Sequence, residues 1–146
     1  MTGAQAPDFS LQSDQGAKVS LSDYRGKQAV VLAFFPKAFT PGCEKEMTDF
    51  GRELSKFHAL GAEVIGVSYD TPETQRKFAL HCAASFPFLS DEGGKVADQY
   101  RTGGGFGPFK FASRRTFVID RSGVIRSVQD GMPDMPKLLK DLEGLR

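Results

Sequence analysis

Two stretches of the chain are apolar at almost every position, and segments with helical spacing of apolar residues follow them. The first stretch, 29–35, ends at Pro36, and the second, 64–68, begins shortly after Gly61. Short continuous apolar runs of this kind indicate strands that are buried on both faces of a sheet. We therefore expect the first stretch to lie at the centre of a sheet and the second to be another buried strand of it.

Each of these strands is followed by a predicted helix. A helix from Thr40 to near Gly61 is indicated by apolar residues at spacings of three, four and three: Met47, Phe50, Leu54 and Phe57. After the second strand, Thr71 is a suitable N-cap and Pro72 a suitable first residue for a helix that runs to about Ser85. The order strand, helix, strand, helix predicts an α/β fold with parallel strands and helices packed on the sheet.

Hairpins are predicted near both ends of the chain. Apolar and polar residues alternate on either side of the turn 13–16, and two apolar runs flank the turn 120–123. A last helix is expected over 135–142. Between residues 100 and 113, four glycines and Pro108 predict an irregular, flexible loop.

Composition and charge narrow the class of protein. A length of 146 residues fits one domain, 1–146, and 40% hydrophobic with 25% charged residues is typical of a soluble globular chain without membrane spans. The net charge is +1 and the basic residues are scattered, so no nucleic-acid partner is expected. The first residues are neither basic nor apolar, which predicts a cytoplasmic protein without a signal peptide. Two cysteines in a reducing compartment are expected to be thiols.

Cys43 stands where a helix begins. With Thr40 as the N-cap and Pro41 as the first helical residue, Cys43 is the third residue of the helix. Its sulfur then faces unpaired backbone N–H groups and the positive end of the helix dipole. Such settings favour the thiolate, the form that attacks a peroxide oxygen.

The segment 36–43 has the pattern Pro-x-x-x-Thr-x-x-Cys after a buried strand and resembles the active-site signature of peroxiredoxins. It is most similar to the Q-type subfamily, also called bacterioferritin comigratory proteins. The similarity extends along nearly the whole chain, through the blocks 6–9, 21–23, 64–68, 86–91 and 114–120. The resemblance implies a thioredoxin-like fold, with a central mixed sheet, flanking helices and an added N-terminal β-hairpin.

The resemblance also implies roles for matching residues. Cys43 would be the peroxidatic cysteine, which becomes a sulfenic acid as the O–O bond breaks. Thr40 would hydrogen-bond the peroxide and the sulfur, and Pro36 would shield the pocket from water. Arg114 would supply a positive charge that favours the thiolate and the charge on the leaving oxygen. Glu46 would hold the arginine in place.

The roles of Arg114 and Cys82 each have an alternative. Arg115 competes with Arg114, but adjacent strand residues point to opposite faces, so only one of them can serve. Cys82 is either a resolving thiol, which condenses with the sulfenic acid to form a disulfide, or a cysteine buried on the same helix face as Phe78. Many Q-type members have a resolving cysteine five residues after the peroxidatic one, where this chain has Thr48. A pairing of Cys82 with Cys43 would require local unwinding.

The implied activity is the reduction of hydrogen peroxide and organic hydroperoxides by two thiols, without a metal or organic cofactor. The reductant would be thioredoxin, glutaredoxin or a similar dithiol protein, and the subfamily points to a monomer. Alternatives are a one-Cys peroxidase, a non-catalytic redox sensor, and a disulfide reductase, which would need a cysteine in place of Thr40. The glycines of 103–107 lack the spacing of a dinucleotide site, and the cysteines and histidines lack zinc-ligand spacing.

Overall fold

The structure, a computed structural model that describes residues 1–145, is built around a mixed sheet of seven strands. The strands of this sheet are β1 (Ser10–Ser13), β2 (Lys18–Ser20), β3 (Ala29–Phe34), β4 (Ala62–Ser68), β5 (Phe88–Ser90), β8 (Arg115–Ile119) and β9 (Ile125–Asp130). A separate two-stranded sheet contains β6 (Gly103–Phe106) and β7 (Phe109–Ala112). The helices are α1 (Pro41–Ala59), α2 (Pro72–His81), α3 (Lys95–Gln99) and α4 (Met135–Glu143).

Strand β3 lies near the centre of the sheet, as its apolar sequence predicts. The strand order is β2-β1-β5-β4-β3-β8-β9, with β3, β4 and β5 parallel and all other pairs antiparallel. Because Phe34 is in register with Val67, β3 and β4 end at the same edge of the sheet. The loops that follow these two strands are therefore neighbours, and the first of them leads into Cys43.

The sheet separates two apolar clusters. Val31 and Phe35 face a cluster to which α1, α2 and α4 contribute, whereas Leu32 and Phe34 face one that includes Tyr100. All of these residues are at most 1% exposed, and burying each large side chain stabilises the fold by about 1.5–3 kcal/mol. The alternation along β3 thus fixes which helices cover which face, and it places α1 and α2 on the same side.

The second helix ends earlier than the sequence predicts, at His81 instead of about Ser85. The reason is a Schellman-type turn: the Ala84 N–H donates to the Ala79 carbonyl at 2.9 Å, and Ala83 has a left-handed φ of 52°. An alanine at this position carries strain, since a non-glycine residue in this conformation is unfavourable by about 1 kcal/mol. The chain therefore turns immediately after Cys82.

The prediction of an irregular loop over 100–113 is wrong, because β6 and β7 pair as a hairpin in this segment. Glycine allows the backbones of the two strands to approach closely. A Cβ atom at Gly105 would collide with the Phe109 carbonyl. The short strand β5 and the short helix α3 were also not predicted, since segments of three and five residues carry too little periodicity. The two predicted terminal hairpins and the last helix are confirmed.

Residues 1–145 contain neither a helix that could span a membrane nor a cluster of metal-ligating side chains. No helix in this part of the chain is long and apolar enough to cross a membrane. Within the same residues, no group of three or more His, Cys, Asp or Glu side chains is arranged to hold a metal ion.

Candidate active site

Cys43 lies in the first turn of α1, as predicted, and its side chain is completely buried. Thr40 is the N-cap residue and Pro41 the first helical residue, and the Thr40 carbonyl accepts a hydrogen bond from the Glu44 N–H at 2.9 Å. Because α1 has 19 residues, its dipole is fully developed at this end. The local sequence thus places a thiol at the positive end of a long helix.

Arg114 connects this thiol to a buried carboxyl group. Its Nη2 atom donates to the Cys43 sulfur at 3.4 Å, and its Nη1 atom donates to Oε1 of Glu46. The neighbouring Arg115 points to the other face of the sheet, where it bonds Asp130 at 2.6 Å. Of the two adjacent arginines, Arg114 is therefore the one that contacts the sulfur, as strand alternation allows.

A glycine makes this approach of the guanidinium possible. A Cβ atom at Gly42 would lie 3.0 Å from Nη2 of Arg114, closer than a normal van der Waals contact. Any other residue at this position would therefore require the guanidinium to shift by a few tenths of an ångström.

The carboxyl group of Glu46 and the guanidinium of Arg114 respond differently to burial. Burial raises the pKa of Glu46 to about 7, although the hydrogen bond and charge of Arg114 lower it. Burial lowers the pKa of Arg114, but Glu46 and Cys43 more than offset this, and the net shift is upward. The difference follows from exposure, because the Arg114 side chain is 19% exposed and that of Glu46 is 0% exposed. Arg114 is therefore a fixed cation, whereas Glu46 readily takes up a proton.

The protonation of Glu46 predicts a pH-dependent difference in stability between the wild type and Glu46→Gln. The raised pKa means that the protonated carboxyl stabilises the folded state fully below pH about 4.5 and loses this effect as the pH rises towards about 7. The buried Oε2 atom, which has no hydrogen-bond partner in residues 1–145, must then carry charge. We expect the wild type to lose on the order of 1–3 kcal/mol relative to E46Q over this range.

The measurement is urea unfolding of both proteins, with reduced cysteines, at several pH values between about 4.5 and 7.5. Groups that lie away from Glu46 contribute alike in both proteins, so their effect on the pH dependence cancels in the difference. A difference that stays constant, or that shifts in favour of the wild type as the pH rises, would contradict the raised pKa of Glu46.

Thr40 and Pro36 lie on the loop 36–40 that precedes α1. The Thr40 side chain makes no capping hydrogen bond, and its hydroxyl donates instead to the Lys37 carbonyl at 2.7 Å. Pro36 is half-buried at the end of β3. Both residues thus border the start of α1, and their contacts with a peroxide stay predictions.

Asp70, which was not among the residues predicted for the site, holds this loop. A carboxylate oxygen of Asp70 accepts a hydrogen bond from the Ala38 N–H at 2.8 Å. The position of Asp70 in the sequence could have indicated this role. Asp70 follows the end of β4 by two residues, and neighbouring parallel strands bring their carboxyl ends together. A polar residue just after β4 could therefore be expected beside the loop that follows β3.

Cys82 lies at the C-cap of α2 and is 4% exposed. Its sulfur is 4.0 Å from the carbonyl oxygen of Glu44, in the first turn of α1. Burial raises the pKa of the Cys82 thiol, a hydrogen bond with the Thr48 side chain lowers it, and the charges of Glu44 and Cys43 raise it further. Both cysteines are free thiols. The structure thus brings the second thiol against the first turns of α1, next to Thr48.

Three contacts connect the end of α2 to the start of α1 and to the loop before it. His81 Nε2 lies 2.9 Å from Glu44 Oε1. The Phe39 ring, on a residue with a left-handed φ of 66°, packs on Phe78 and on His81 with centroid distances of 5.1 and 5.4 Å. These contacts join the segment that carries Cys82 to the segment that carries Cys43.

Comparison with known proteins places this site in a family. Residues 2–128 match the model of the AhpC/TSA family. The chain is 39% identical to the chloroplastic peroxiredoxin Q of Sedum lineare over 99% of this chain and 78% of that protein. It is also 39% identical to the putative peroxiredoxin bcp of Helicobacter pylori, over 84% of this chain and 83% of that one. The chain spans 57–58% of the length of several other chloroplastic peroxiredoxin Q proteins.

A solved structure shows the same architecture. The peroxidoxin BcpB of Mycobacterium tuberculosis superimposes with a TM-score of 0.92 at 34% identity, over 99% of this chain and 97% of that one. This agreement confirms the thioredoxin-like α/β fold expected from the sequence, with its mixed central sheet and flanking helices. With a family match over most of its length and a cysteine in the first turn of α1 beside an arginine, the chain belongs to the AhpC/TSA family, among the peroxiredoxins related to peroxiredoxin Q and bacterioferritin comigratory protein.

Proposed function

We propose that this chain is a thiol peroxidase in which the Cys43 thiolate reduces hydrogen peroxide and organic hydroperoxides. The observation that carries the proposal is the position of the Arg114 guanidinium, which contacts both the buried Cys43 sulfur and the buried Glu46 carboxyl. A fixed cation at this place stabilises the thiolate and the negative charge that develops on the leaving oxygen.

In the first step the Cys43 thiolate attacks one peroxide oxygen. An S–O bond forms and the O–O bond breaks, so that sulfur is oxidised to a sulfenic acid and the peroxide is reduced. The leaving alkoxide or hydroxide takes up a proton and departs as an alcohol or as water. In this proposal Thr40 hydrogen-bonds the peroxide, Pro36 excludes water, and Glu46 orients Arg114.

In the second step Cys82 resolves the sulfenic acid. The Cys82 sulfur attacks the Cys43 sulfur, water leaves, and an intramolecular disulfide forms. The position of Cys82 against the first turn of α1 supports this pairing. Because both sulfurs are buried, the contacts of Phe39 and His81 must open first. The strained turn at Ala83 favours unwinding at this end of α2.

A dithiol protein of the thioredoxin or glutaredoxin type then reduces the disulfide and completes the cycle. The reaction needs no metal or organic cofactor, because cysteine chemistry alone transfers both electrons. We further propose a monomer that works in a reducing compartment such as the cytoplasm, where free cysteines persist between cycles.

Replacing Cys82 by serine separates the two steps. We expect C82S to react with one equivalent of peroxide about as fast as the wild type, because Arg114 and the start of α1 are unchanged. Turnover with a thioredoxin-type protein should fall by about tenfold or more, since the sulfenic acid is no longer converted to a disulfide. Stopped-flow single turnover and steady-state peroxide consumption measure the two effects.

The outcomes distinguish the alternatives. Unchanged steady-state turnover in C82S would show that Cys82 is structural and that the protein is a one-Cys peroxidase. A wild type that is oxidised once but does not turn over with any dithiol would be a redox sensor. Only repeated peroxide consumption that depends on a dithiol supports the proposed function.

A further inference from the structure

The loop 36–40 has a conformation that requires contacts with other parts of the chain. Phe39 adopts a left-handed φ of 66°, which an aromatic residue takes only when surrounding contacts enforce it. The loop also carries Thr40, which is predicted to hydrogen-bond the peroxide, and Pro36, which is predicted to shield the pocket from water. Small changes in its path would move these groups relative to the Cys43 sulfur.

A carboxylate from the neighbouring loop fixes this conformation. One oxygen of Asp70, Oδ2, accepts hydrogen bonds from the Ala38 N–H at 2.8 Å and from the Ser68 hydroxyl at 2.6 Å. The bond to the loop adjoins the left-handed Phe39, and Ala38 itself is only 6% exposed. Asp70 therefore holds the loop at the residue next to its strained position.

Asp70 is in turn tied to the sheet. The fully buried Ser68 hydroxyl accepts a hydrogen bond from Nε2 of Gln75 at 2.9 Å, and the same Nε2 donates to the Leu89 carbonyl at 2.8 Å. Gln75 is also fully buried, on the first turns of α2. The chain of bonds thus runs from β5 through α2 and the end of β4 to the loop before Cys43.

We propose that Asp70 is a positioning residue for the peroxide reaction, because its carboxylate holds the loop 36–40 in place through the Ala38 N–H. This inference rests on the proposed function and extends it to a residue that touches neither the sulfur nor the peroxide. The network shares no atom with the contacts of Arg114 to Cys43 and Glu46. Loss of the anchor should therefore impair the placement of the peroxide and leave the stabilisation of the thiolate intact.

Two substitutions of Asp70 separate its acceptor oxygen from its charge. Both hydrogen bonds end on Oδ2, so the single carbonyl oxygen of an asparagine can accept both of them. Asp70→Asn should therefore keep the loop in place, whereas Asp70→Ala removes the anchor. Rescue by the amide identifies hydrogen bonding to the loop as the essential property.

The experiment measures the second-order rate constant for oxidation of reduced protein by hydrogen peroxide in stopped flow. We expect D70A to be about 10-fold to 100-fold slower than the wild type, since a displacement of about 1 Å in a reacting geometry can reduce rates to this extent. D70N should stay within about threefold of the wild type. The pH midpoint of Cys43 alkylation by iodoacetamide, read by peptide mass spectrometry, should be the same in all three proteins.

Asp120→Ala is the matched control for loss of a loop-stabilising carboxylate. Asp120 accepts hydrogen bonds from the Ser122 and Val124 N–H groups at 2.9 and 3.0 Å, in the turn between β8 and β9. D120A should react at the wild-type rate even where its thermal stability falls as far as that of D70A.

A D70A protein that reacts as fast as the wild type would overturn the inference and leave the proposed function standing. A D70N protein as slow as D70A, or a D120A protein slowed to the same extent as D70A, would also overturn it. A wild type that does not react with peroxide in this assay would instead remove the proposed function, and with it the reaction that Asp70 serves.

Discussion

Replacement of Cys43 by serine is expected to reduce the reaction with hydroperoxides to the background rate, a loss on the order of 10³-fold or more. A serine hydroxyl stays protonated at neutral pH and does not attack a peroxide oxygen, so the Arg114 cation has no thiolate to stabilise. Because all the proposed chemistry begins at this sulfur, the other residues of the site cannot compensate. Stopped-flow measurement of peroxide consumption in the presence of a dithiol checks this result.

C82S is the matched control for C43S. Both substitutions place a hydroxyl at a buried cysteine position in the same apolar cluster, and each can destabilise the fold by about 1–3 kcal/mol. Thermal unfolding of the two variants therefore shows how much of any effect is structural. Peroxide consumption by a folded C43S protein at the rate of the wild type would contradict the assignment of Cys43.

Replacement of Arg114 by methionine is expected to slow the peroxide reaction by about 10²–10³-fold, as does removal of one fixed donor from other active sites. The substitution keeps much of the side-chain volume but removes the positive charge that lies 3.4 Å from the sulfur. Glu46 then loses its ion-pair partner. Because its buried carboxyl group can take up a proton, the loss of folding stability that results is limited. Arg114→Lys should retain part of the rate, since an ammonium supplies charge without the two-pronged geometry.

Arg115→Met is the control for this variant, since it removes the adjacent arginine from the other face of the sheet. The Arg115 bond to Asp130 is an exposed ion pair, and its loss should change stability by less than about 1 kcal/mol and leave the rate unchanged. The pH dependence of Cys43 alkylation gives a second measurement, which should shift to higher pH in R114M only. Equal rates for R114M and R115M would contradict the role of Arg114.

The position of Cys43 could be predicted because the information is local. A threonine N-cap, a proline in the first helical position and an amphipathic repeat specify where α1 begins, so the third helical residue follows from counting. The choice of Arg114 over Arg115 needed the family resemblance as well. Because neighbouring strand residues point to opposite faces, only one of the two arginines can face α1. Which of them does so depends on the register of β8 on β3.

What the sequence could not supply depends on contacts between distant segments. Asp70 reaches Ala38 only because β3 and β4 are parallel neighbours in a particular register. The end of α2 at His81 depends on the left-handed conformation of Ala83. An alanine in the sequence does not predict this conformation. The hairpin over 100–113 was missed because its first strand is rich in glycine, which is usually a signal for a loop.

The position of Cys82 could likewise be predicted only in part. Helical spacing from Phe78 puts it on the face that packs against the core, and both residues do belong to one apolar cluster. The spacing does not indicate that its sulfur lies beside the Glu44 carbonyl of another helix. That contact, together with the adjacent Thr48, is what makes a pairing with Cys43 a specific proposal.

The proposed mechanism begins with oxidation of Cys43 by peroxide, and Cys82 then captures the sulfenic acid that forms. It is tested most directly by mass spectrometry of the reduced protein after one equivalent of hydrogen peroxide, with the remaining thiols alkylated before digestion. We expect the loss of two hydrogens from the intact protein and a peptide pair linked through Cys43 and Cys82. An added oxygen on Cys43 with Cys82 alkylated would contradict the resolving step, and an unoxidised Cys43 would contradict the peroxidase function itself.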